Sequence, residues 1–595
     1  MDKTKNLIKL FYDQAIEKGE APFLWSKKGG EWQPVTWAET AQKVSDLSNG
    51  LQTLGVKQGD RIGLVSESRP EWLIADLAIM AAGGITVPAY VTNGIEDHKH
   101  ILEDSGACGV IVSTPDLASR VFPAAEQVES VKFAISIDEI PNYQSEGVSL
   151  QNWRSVTESN PDNLTIFENA ADNLTRNRTA CLIYTSGTGG TPKGVMLSHG
   201  AILCNCEGSV EVLKEMGLDD EVFLSFLPLS HSYEHTAGQF FPIMIGAQIY
   251  YAEGIDKLAQ NMGEVHPTLM TAVPRLYEVM HDRIRHGVKQ AGGLSEKFFE
   301  TTIFLGRKKY ENPDSLSLSE NMQNALMDKL VRSKVKGRFG GKLKALVSGG
   351  APLNYDIGIF FTALGLRLLQ GYGQTESAPV ISCNPPSDNR IDTVGIPMEG
   401  VDCRIADDGE IIVRGELVMQ GYWNNPKATS ETIKDGWLYT GDVGMFDADG
   451  YLRITDRKKD IIVNSGGDNI SPQRVEGMLT AQPEIGQAMV YGDKRPHLVA
   501  LIIPDAEFAA TWAKEQGHSE QSIEFVIEHQ DFKAVINEAV VRVGNDLSVI
   551  ERIRRFTMAN EAFTIDNEML TPTLKIRRHI IRDKYRERLE ALYGH

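Results

Sequence analysis

The sequence has few cysteines and no long uninterrupted apolar run. Six cysteines are scattered over 595 residues, which is too few for a disulfide framework and is typical of reduced thiols in a cytoplasmic protein. The amino-terminal stretch is interrupted by Lys9 and is followed by no cleavage signal, so we do not expect a signal peptide. The most apolar stretch, residues 72–91, contains Asp76, a glycine pair and a proline. It therefore predicts a buried helix followed by a strand, not a membrane span.

The chain also lacks an excess of positive charge. It has 60 Lys and Arg against 80 Asp and Glu, a formal net charge of −20. Because phosphate backbones attract clustered Lys and Arg, this balance argues against nucleic acid as a partner. A nucleotide is not excluded, since it needs only a local cation.

The patterning predicts several domain-sized units, as the chain is too long for one core. Short apolar runs alternate with helical segments, which predicts α/β layers with buried strands. Residues 276–340 predict a helical excursion, and residues 402–456 a small antiparallel β module with Asp-Gly turns. The charged run "DRKKD" follows. We therefore expect a large multi-subdomain α/β body at 1–456 and a small α+β domain at 457–595.

One loop is rich in glycine and in residues with hydroxyl groups. Residues 184–195 read "YTSGTGGTPKGV" and follow an apolar run. Glycines let backbone N–H groups converge on a phosphate. The Walker pattern is not met, because Pro192 stands where a glycine is required and Gly194 follows Lys193. The next residues predict a strand, so we expect a strand–loop–strand phosphate cradle; a flexible surface loop is the alternative. The hydroxyl groups of this cradle belong to Thr185, Ser186 and Thr188.

A second glycine-rich segment, "QGYGQTES", covers residues 370–377. The Tyr372 ring can stack on a purine, and the Glu376 carboxylate can hold Mg²⁺, a hard cation that prefers oxygen ligands. The alternative is a turn relieved by glycine and capped by Thr375.

Two charged residues are weaker signals when taken alone. Asp442 ends "YTGD" and can accept both hydroxyls of a ribose, although a turn aspartate is the alternative. Lys575, in "LTPTLKIRR", is a solvated lysine on the simplest interpretation.

The segment "HSYEH" matches H-x-x-E-H, a zinc-peptidase pattern built from His231, Glu234 and His235. A zinc site needs both histidines on one helical face and a third ligand from a second helix. Because the flanking residues give little helical context, a polar loop lining a cleft is the competing interpretation. No G-x-S-x-G nucleophile elbow occurs in the chain.

Taken together and in this order, the segments resemble those of the acyl-adenylate-forming (AMP-binding) enzymes. The resemblance covers nearly the whole chain and rests on "YTSGTGGTPKGVMLSH", "LPLSH", "VSGGAPL", "QGYGQTES", "YTGD", "DRKKDIIVNSGGDNISPQRVE" and "TPTLKIRR". The excursion at 276–340 and the "TPTLKIRR" ending look most like long-chain fatty acyl-CoA synthetases. One position departs from the family pattern, because Gly189 stands where a second threonine is usual.

The resemblance implies two steps that use ATP, Mg²⁺ and CoA. A fatty carboxylate attacks the α-phosphate of ATP to give acyl-AMP and pyrophosphate, and the CoA thiol then displaces AMP. The first step joins two anions, so catalysis must come from positioning and charge neutralisation.

The resemblance also implies a role for each matching residue. The β- and γ-phosphates would be held by Thr185, Ser186, Gly187, Thr188 and Lys193. Mg²⁺ would be bound by Glu376 and Thr185, and the α-phosphate by Thr375. Adenine would lie against Tyr372 with Gly349, Gly350, Ala351, Gln370 and Gly371. The ribose would be bound by Asp442, with Arg457 and Lys459 nearby.

Three further expectations concern the acyl group and the second step. Lys575 would bridge the carboxylate and α-phosphate oxygens during adenylation, and His231 would lie where the acyl group enters. The small domain would be mobile and turn about "DRKKD", near Lys459. Its glycines Gly466 and Gly467 would then line a narrow pantetheine channel.

Several alternatives stay open. Within the family these are a fatty acyl-AMP ligase that loads a carrier protein, or a CoA ligase for a shorter or aryl acid. Outside it they are the zinc metallopeptidase and a nucleotide- or acyl-binding sensor without turnover. A homodimer and peripheral contact with the inner membrane face are further expectations.

Overall fold

The computed structural model describes residues 4–140, 143, 145, 147–158, 164–185, 191–466, 468–564, 567–570 and 576–594. In chain order, the strands are β1 (Pro22–Lys28), β2 (Glu31–Thr36), β3 (Arg61–Val65), β4 (Ile85–Pro88), β5 (Gly109–Val112), β6 (Phe133–Ser136), β7 (Ser149–Asn152), β8 (Thr179–Thr185), β9 (Lys193–Ser198), β10 (Val222–Ser225), β11 (Gln248–Tyr251), β12 (Leu269–Ala272), β13 (Ala345–Ser348), β14 (Leu368–Gly373), β15 (Val380–Cys383), β16 (Ile396–Pro397), β17 (Asp402–Ile405), β18 (Glu410–Arg414), β19 (Gly421–Tyr422), β20 (Ile433–Lys434), β21 (Trp437–Phe446), β22 (Leu452–Arg457), β23 (Ile462–Val463), β24 (Asn469–Ile470), β25 (Ile485–Tyr491), β26 (Leu498–Pro504) and β27 (Ile553–Met558).

The α-helices surround these strands. They are α1 (Leu7–Lys18), α2 (Trp37–Thr53), α3 (Pro70–Ala81), α4 (Ile95–Ser105), α5 (Pro115–Glu126), α6 (Trp153–Thr157), α7 (Thr165–Asn173), α8 (His199–Leu213), α9 (Ser232–His235), α10 (Phe241–Met244), α11 (Leu258–Val265), α12 (Pro274–Ala291), α13 (Gly293–Glu311), α14 (Leu318–Met327), α15 (Ser333–Arg338), α16 (Tyr355–Ala363), α17 (Pro426–Thr432), α18 (Pro472–Thr480), α19 (Ala506–Glu515), α20 (Ile523–Val526), α21 (Gln530–Asn545) and α22 (Arg578–Ala591). Short π-helical turns at Thr236–Phe240 and Asp328–Arg332 join α9 to α10 and α14 to α15.

Two large sheets form the body. One has the strand order β19-β9-β8-β4-β3-β5-β6-β7, and the other β16-β15-β14-β13-β12-β10-β11-β1-β2. Their central pairings, such as β3 with β5 and β12 with β13, are parallel. Strands β5 and β12 are buried throughout, as expected for parallel strands covered on both faces. The predicted α/β fold class is confirmed.

The apolar stretch at 72–91 behaves as its composition predicts. It forms most of α3, in which every residue except Glu71 is buried, and the β4 strand that follows. Asp76 is fully buried in this helix. None of the described helices combines the length and the apolar character that a membrane span requires. All six cysteines are free thiols.

Apart from β19, which joins a large sheet, the strands after β16 form smaller units. Strands β17, β18, β21, β20 and β22 make an antiparallel sheet, and β25, β26 and β27 make a separate three-stranded sheet. Helices α12 to α15 lie between β12 and β13. Two apolar clusters around the three-stranded sheet contain no residue before Ile462. The proposed division into 1–456 and 457–595 stays a prediction.

Candidate functional site

A cavity of about 610 Å³ opens where several strands of both sheets end. Gly349 and Gly350 follow β13 and line it, as do Gly371, Tyr372 and Gly373 at the carboxyl end of β14. Ligands of parallel α/β sheets bind at this edge, where loops diverge from the strand ends. The fold therefore gathers "VSGGAPL" and "QGYGQTES" at one cavity, although 16 residues separate them in the sequence.

A hydrogen bond and an ion pair join three side chains that line the cavity, those of Tyr372, Asp442 and Arg457. The Tyr372 hydroxyl donates a hydrogen bond to Asp442 Oδ2 at 2.6 Å, and Arg457 Nε lies 3.3 Å from Asp442 Oδ1. Asp442 and Arg457 are paired opposite each other in antiparallel β21 and β22. Burial and the Asp442 carboxylate raise the pKa of Tyr372 well above its ordinary value. The phenol therefore stays a neutral donor to Asp442, which also lines the cavity.

Tyr422 is a site residue that sequence reasoning missed. Its hydroxyl donates to Glu376 Oε1 at 2.8 Å, and Lys193 Nζ lies 4.9 Å from the centre of its ring. Strand β19 pairs with β9 and sets Tyr422 opposite Val195, which brings the ring beside Lys193. Burial and Glu376 raise the pKa of Tyr422. No spacing signal could have revealed this link, because it depends on pairing between distant strands.

The phosphate cradle is described only at its two ends. Thr185 ends β8 and Lys193 begins β9, and the two residues are register partners in an antiparallel pair. Both line the cavity. The predicted strands on either side of the loop are therefore confirmed. Ser186, Gly187, Thr188 and Gly189 lie outside the described residues.

The "HSYEH" segment turns its side chains in different directions. His231 lines the cavity and its Nδ1 accepts from the Tyr233 amide at 3.2 Å. Glu234 is fully buried and accepts from Ser225 and Thr271 at 2.5 and 2.6 Å. Burial raises the pKa of Glu234 to about 7.

His235 is also fully buried, and its Nε2 lies 2.9 Å from Asp76 Oδ2. Glu234 and His235 thus have different partners, away from His231. Within the part of the chain that the structure describes, no three His, Cys, Asp or Glu side chains converge as a metal site. The zinc alternative therefore has no ligand set there.

The cavity lining contains both hydroxyl-bearing and apolar residues. Thr375 Oγ1 lies 3.0 Å from Ser232 Oγ. The cavity lining also includes apolar residues from several strands and helices. These include Val212, Leu213, Phe223, Phe241, Leu269 and Met270. One cavity is thus lined both by carboxylates and cations and by apolar residues.

Some predicted site residues do not line the cavity. Ala351 is exposed. Gln370 is buried and donates its amide to the Ile391 carbonyl, so its side chain is engaged elsewhere. Gly466 lies in an exposed turn where its N–H donates to Asn464 Oδ1 at 2.8 Å. Gly467 and Lys575 lie outside the described residues.

The "DRKKD" segment borders the cavity. Arg457, Lys458 and Lys459 all line it. Lys458 Nζ donates to Asp408 at 2.6 Å and to Glu410 at 2.8 Å, which ties this segment to the antiparallel sheet. The last lining residue is Asp460; no described residue beyond it reaches the cavity.

Comparisons with known proteins identify the family of this chain. The AMP-binding enzyme family matches residues 11–423, and the AMP-binding enzyme C-terminal domain matches residues 459–595. The chain is 34% identical over 574 residues to long-chain-fatty-acid–CoA ligase FadD15 of Mycobacterium bovis, covering 95% of this chain and 93% of that protein. It is 30% identical over 606 residues to human long-chain-fatty-acid–CoA ligase 1, covering 96% and 84%.

A solved structure shares the fold. The A domain of carboxylic acid reductase from Segniliparus rugosus, in complex with AMP and a co-purified carboxylic acid, superposes with a TM-score of 0.77. That comparison covers 100% of this chain and 95% of the other at 19% identity. With the family matches over both parts of the sequence, the chain is a member of the AMP-binding enzyme family.

Proposed function

We propose that this protein is a long-chain fatty acid–CoA ligase that forms AMP. It would join a fatty acid to ATP as acyl-AMP and then transfer the acyl group to CoA. The observation that supports this best is that one cavity is lined both by the Tyr372–Asp442 pair and by apolar residues suited to an acyl chain. The two relatives named above are long-chain-fatty-acid–CoA ligases, and this chain matches each of them over most of its length.

In the first step, a carboxylate oxygen attacks the α-phosphorus of ATP and the bond to the β-phosphate oxygen breaks. Pyrophosphate leaves with that electron pair. Tyr372 would stack on adenine while Asp442 accepts ribose hydroxyls. Thr185 and Lys193 would hold the leaving phosphates, and Lys193 would offset their charge. Positioning and charge neutralisation are what this reaction needs, since two anions must meet.

The cavity also fits a magnesium ion. Mg²⁺ in nucleotide sites keeps several waters and takes one or two carboxylates plus phosphate oxygens. Glu376 supplies such a carboxylate at the cavity, Tyr422 orients it, and the Thr185 hydroxyl is on the same lining. When bound, the ion would neutralise phosphate charge.

We propose Lys575 as the group that bridges the acyl carboxylate and the α-phosphate in the first step. In the second step the CoA sulfur attacks the acyl carbon, AMP leaves with the bonding electrons, and the thiol proton is released. The domain at 457–595 would turn about Lys459 between the steps. Gly466 and Gly467 would then come to line the pantetheine channel. This motion fits Gly466 lying away from the cavity here.

The test is a panel of unbranched acids from C4 to C18, with benzoate added, assayed for ATP-dependent pyrophosphate release. Each acid is tested with and without CoA, and products are identified by mass spectrometry. We expect the highest kcat/KM with acids of 12 or more carbons, about a hundredfold or more above that of the C8 acid, because each of four additional buried CH₂ groups contributes about 0.8 kcal/mol. We also expect acyl-CoA and AMP as products.

Other outcomes point to the rivals. Pyrophosphate release with no acyl-CoA, restored by a carrier protein, would identify a fatty acyl-AMP ligase. A maximum with benzoate or C4 would identify a ligase for aryl or short acids. Binding of ATP without any pyrophosphate release would identify a sensor. The homodimer stays a prediction, which sedimentation of the full chain can check.

A further inference from the structure

The most exposed large apolar side chains among the described residues lie on two neighbouring helices. Leu318 and Met322 of α14 are 87% and 76% exposed, and Leu294 of α13 is 70% exposed. Leu318, Met322 and Leu326 are four residues apart, so they share one helical face. The opposite face carries Asn324 and Met327, which are buried. The apolar stripe of α14 therefore points away from the body.

Cations follow this stripe directly. The helix continues from α14 through a π-helical turn into α15. The residues that follow the stripe and are both basic and exposed are Lys329, Lys334, Lys336, Arg338 and Lys342. Residues 329–344 contain no Asp or Glu. None of these five cations is ion-paired with a carboxylate among the described residues. We call the stripe and these cations together the α14–α15 surface.

The charge of this region is opposite to that of the chain. Residues 275–344 hold 15 Lys and Arg against 8 Asp and Glu, whereas the whole chain holds 60 against 80. An anionic surface would thus repel most of the molecule. The Debye length is about 8 Å at physiological salt, so a basic patch acts locally although the net charge is −20. Attraction at one face and repulsion elsewhere would fix the orientation.

We propose that the α14–α15 surface docks this protein on an anionic phospholipid bilayer. Leu318, Met322 and Leu326 would enter the boundary between headgroups and acyl chains, and the neighbouring cations would contact lipid phosphates. Interfacial helices bind by this combination of apolar area and attraction to anionic lipid. Charge complementarity favours a bilayer as the occupant, because the cations have no protein carboxylate as partner. The inference does not depend on the substrate proposed above.

The test is flotation of the full chain with vesicles of phosphatidylcholine alone or with 30% phosphatidylglycerol. We expect binding to the anionic vesicles in 50 mM salt, and little binding to neutral vesicles or in 0.5 M salt. Each basic residue near the surface contributes about a fivefold gain in affinity. Replacing Lys329, Lys334, Lys336 and Arg338 with Gln should therefore weaken binding at least about a hundredfold. Leu318→Ser with Met322→Ser and Leu326→Ser should weaken it about tenfold or more.

Matched controls separate a specific surface from general stickiness. One control replaces Lys43, Lys57, Lys514 and Lys533 with Gln; the other replaces Ile16, Ile255 and Val549, which are 64–66% exposed, with Ser. Both should bind like the wild type, and all variants should keep its circular dichroism spectrum and activity toward a water-soluble short acid. Absence of wild-type binding to anionic vesicles would overturn the proposal. A protein would then be the alternative partner of the α14–α15 surface. Equal losses in the controls would overturn it too.

Discussion

The cavity walls and the last 135 residues differ in how their functional groups are held. In the walls, polar side chains hold one another: Tyr372 bonds Asp442, and Tyr422 bonds Glu376. No described residue after Asp460 lines the cavity. On the function proposed above, the groups that bind the nucleotide are held together by residues up to Asp460, whereas the groups proposed for reaction and CoA transfer belong to later residues. Such a separation lets ground-state binding and transition-state stabilisation be changed independently.

The strongest test of this difference is Lys575→Ala. If Lys575 acts only in the adenylation transition state, acyl-AMP formation should fall about 10²–10³-fold, as when one electrostatic donor is removed. The dissociation constant of ATP should change little. Single-turnover pyrophosphate release and calorimetric ATP binding measure the two effects. Lys533→Ala, an exposed lysine on α21, is the control. A parallel loss of ATP affinity would mean that Lys575 belongs with the wall residues.

Asp442→Asn should show the reverse pattern. This change removes the carboxylate charge but keeps a similar shape, and hydrogen bonds to a charged group contribute about 1.5–3 kcal/mol. We expect KM for ATP to rise about tenfold to a hundredfold, with a smaller change in kcat. Asp402→Asn, which alters a half-exposed partner of Arg414, should leave both constants unchanged. An unchanged KM for ATP would remove Asp442 from the nucleotide site.

Tyr422→Phe should have a smaller effect. It removes one hydrogen bond to Glu376 and keeps the ring beside Lys193. We therefore expect the affinity for ATP to fall about twofold to tenfold. The loss should appear as weaker ATP binding in calorimetry that depends on Mg²⁺ concentration. Tyr451→Phe, whose hydroxyl donates to the Asp388 carbonyl, is the control. A drop in thermal stability with no change in ATP binding would assign Tyr422 a structural role only.

The smallest effect concerns the buried carboxyl beneath the cavity. Glu234 has a pKa of about 7 in the folded protein against an ordinary value near 4.5, so the folded state binds its proton more tightly. The Glu234 contribution to stability therefore decreases as pH rises from about 4.5 to 7. Glu234→Gln imitates the protonated form and should gain a few degrees in Tm over the wild type at pH 8, but less at pH 5.5. Glu31→Gln should show no such difference.

Features that depend on neighbouring residues, such as strands and helix burial, could be predicted from the sequence. Contacts that depend on the pairing of distant strands could not. Gly and Thr content with flanking apolar runs predicted strands on both sides of the phosphate loop, and β8 and β9 confirm them. The excess of apolar residues in α3 likewise predicted its burial. Tyr422 was missed because its contact with Glu376 follows from the pairing of β19 with β9. The His235–Asp76 contact joins residues 159 positions apart, so no short motif could indicate it.

Motif membership did not indicate which side chains face the cavity; the roles of Gln370 and Ala351 stay predictions. Gln370 belongs to the same segment as Tyr372, yet its amide is used by the Ile391 carbonyl. Ala351 follows two cavity glycines but is exposed. A sequence pattern fixes which backbone lies near a ligand, whereas the direction of each side chain depends on the neighbours that satisfy it.

The most direct measurement of the central claim is the second half-reaction of Lys575→Ala. Chemically synthesised acyl-AMP and CoA are mixed with the variant, and acyl-CoA is followed in a single turnover. If Lys575 serves only the adenylation step, the rate should lie within about twofold of the wild type while adenylation is lost. Loss of both half-reactions to a similar degree would contradict the division of labour between the cavity walls and the carboxyl-terminal residues.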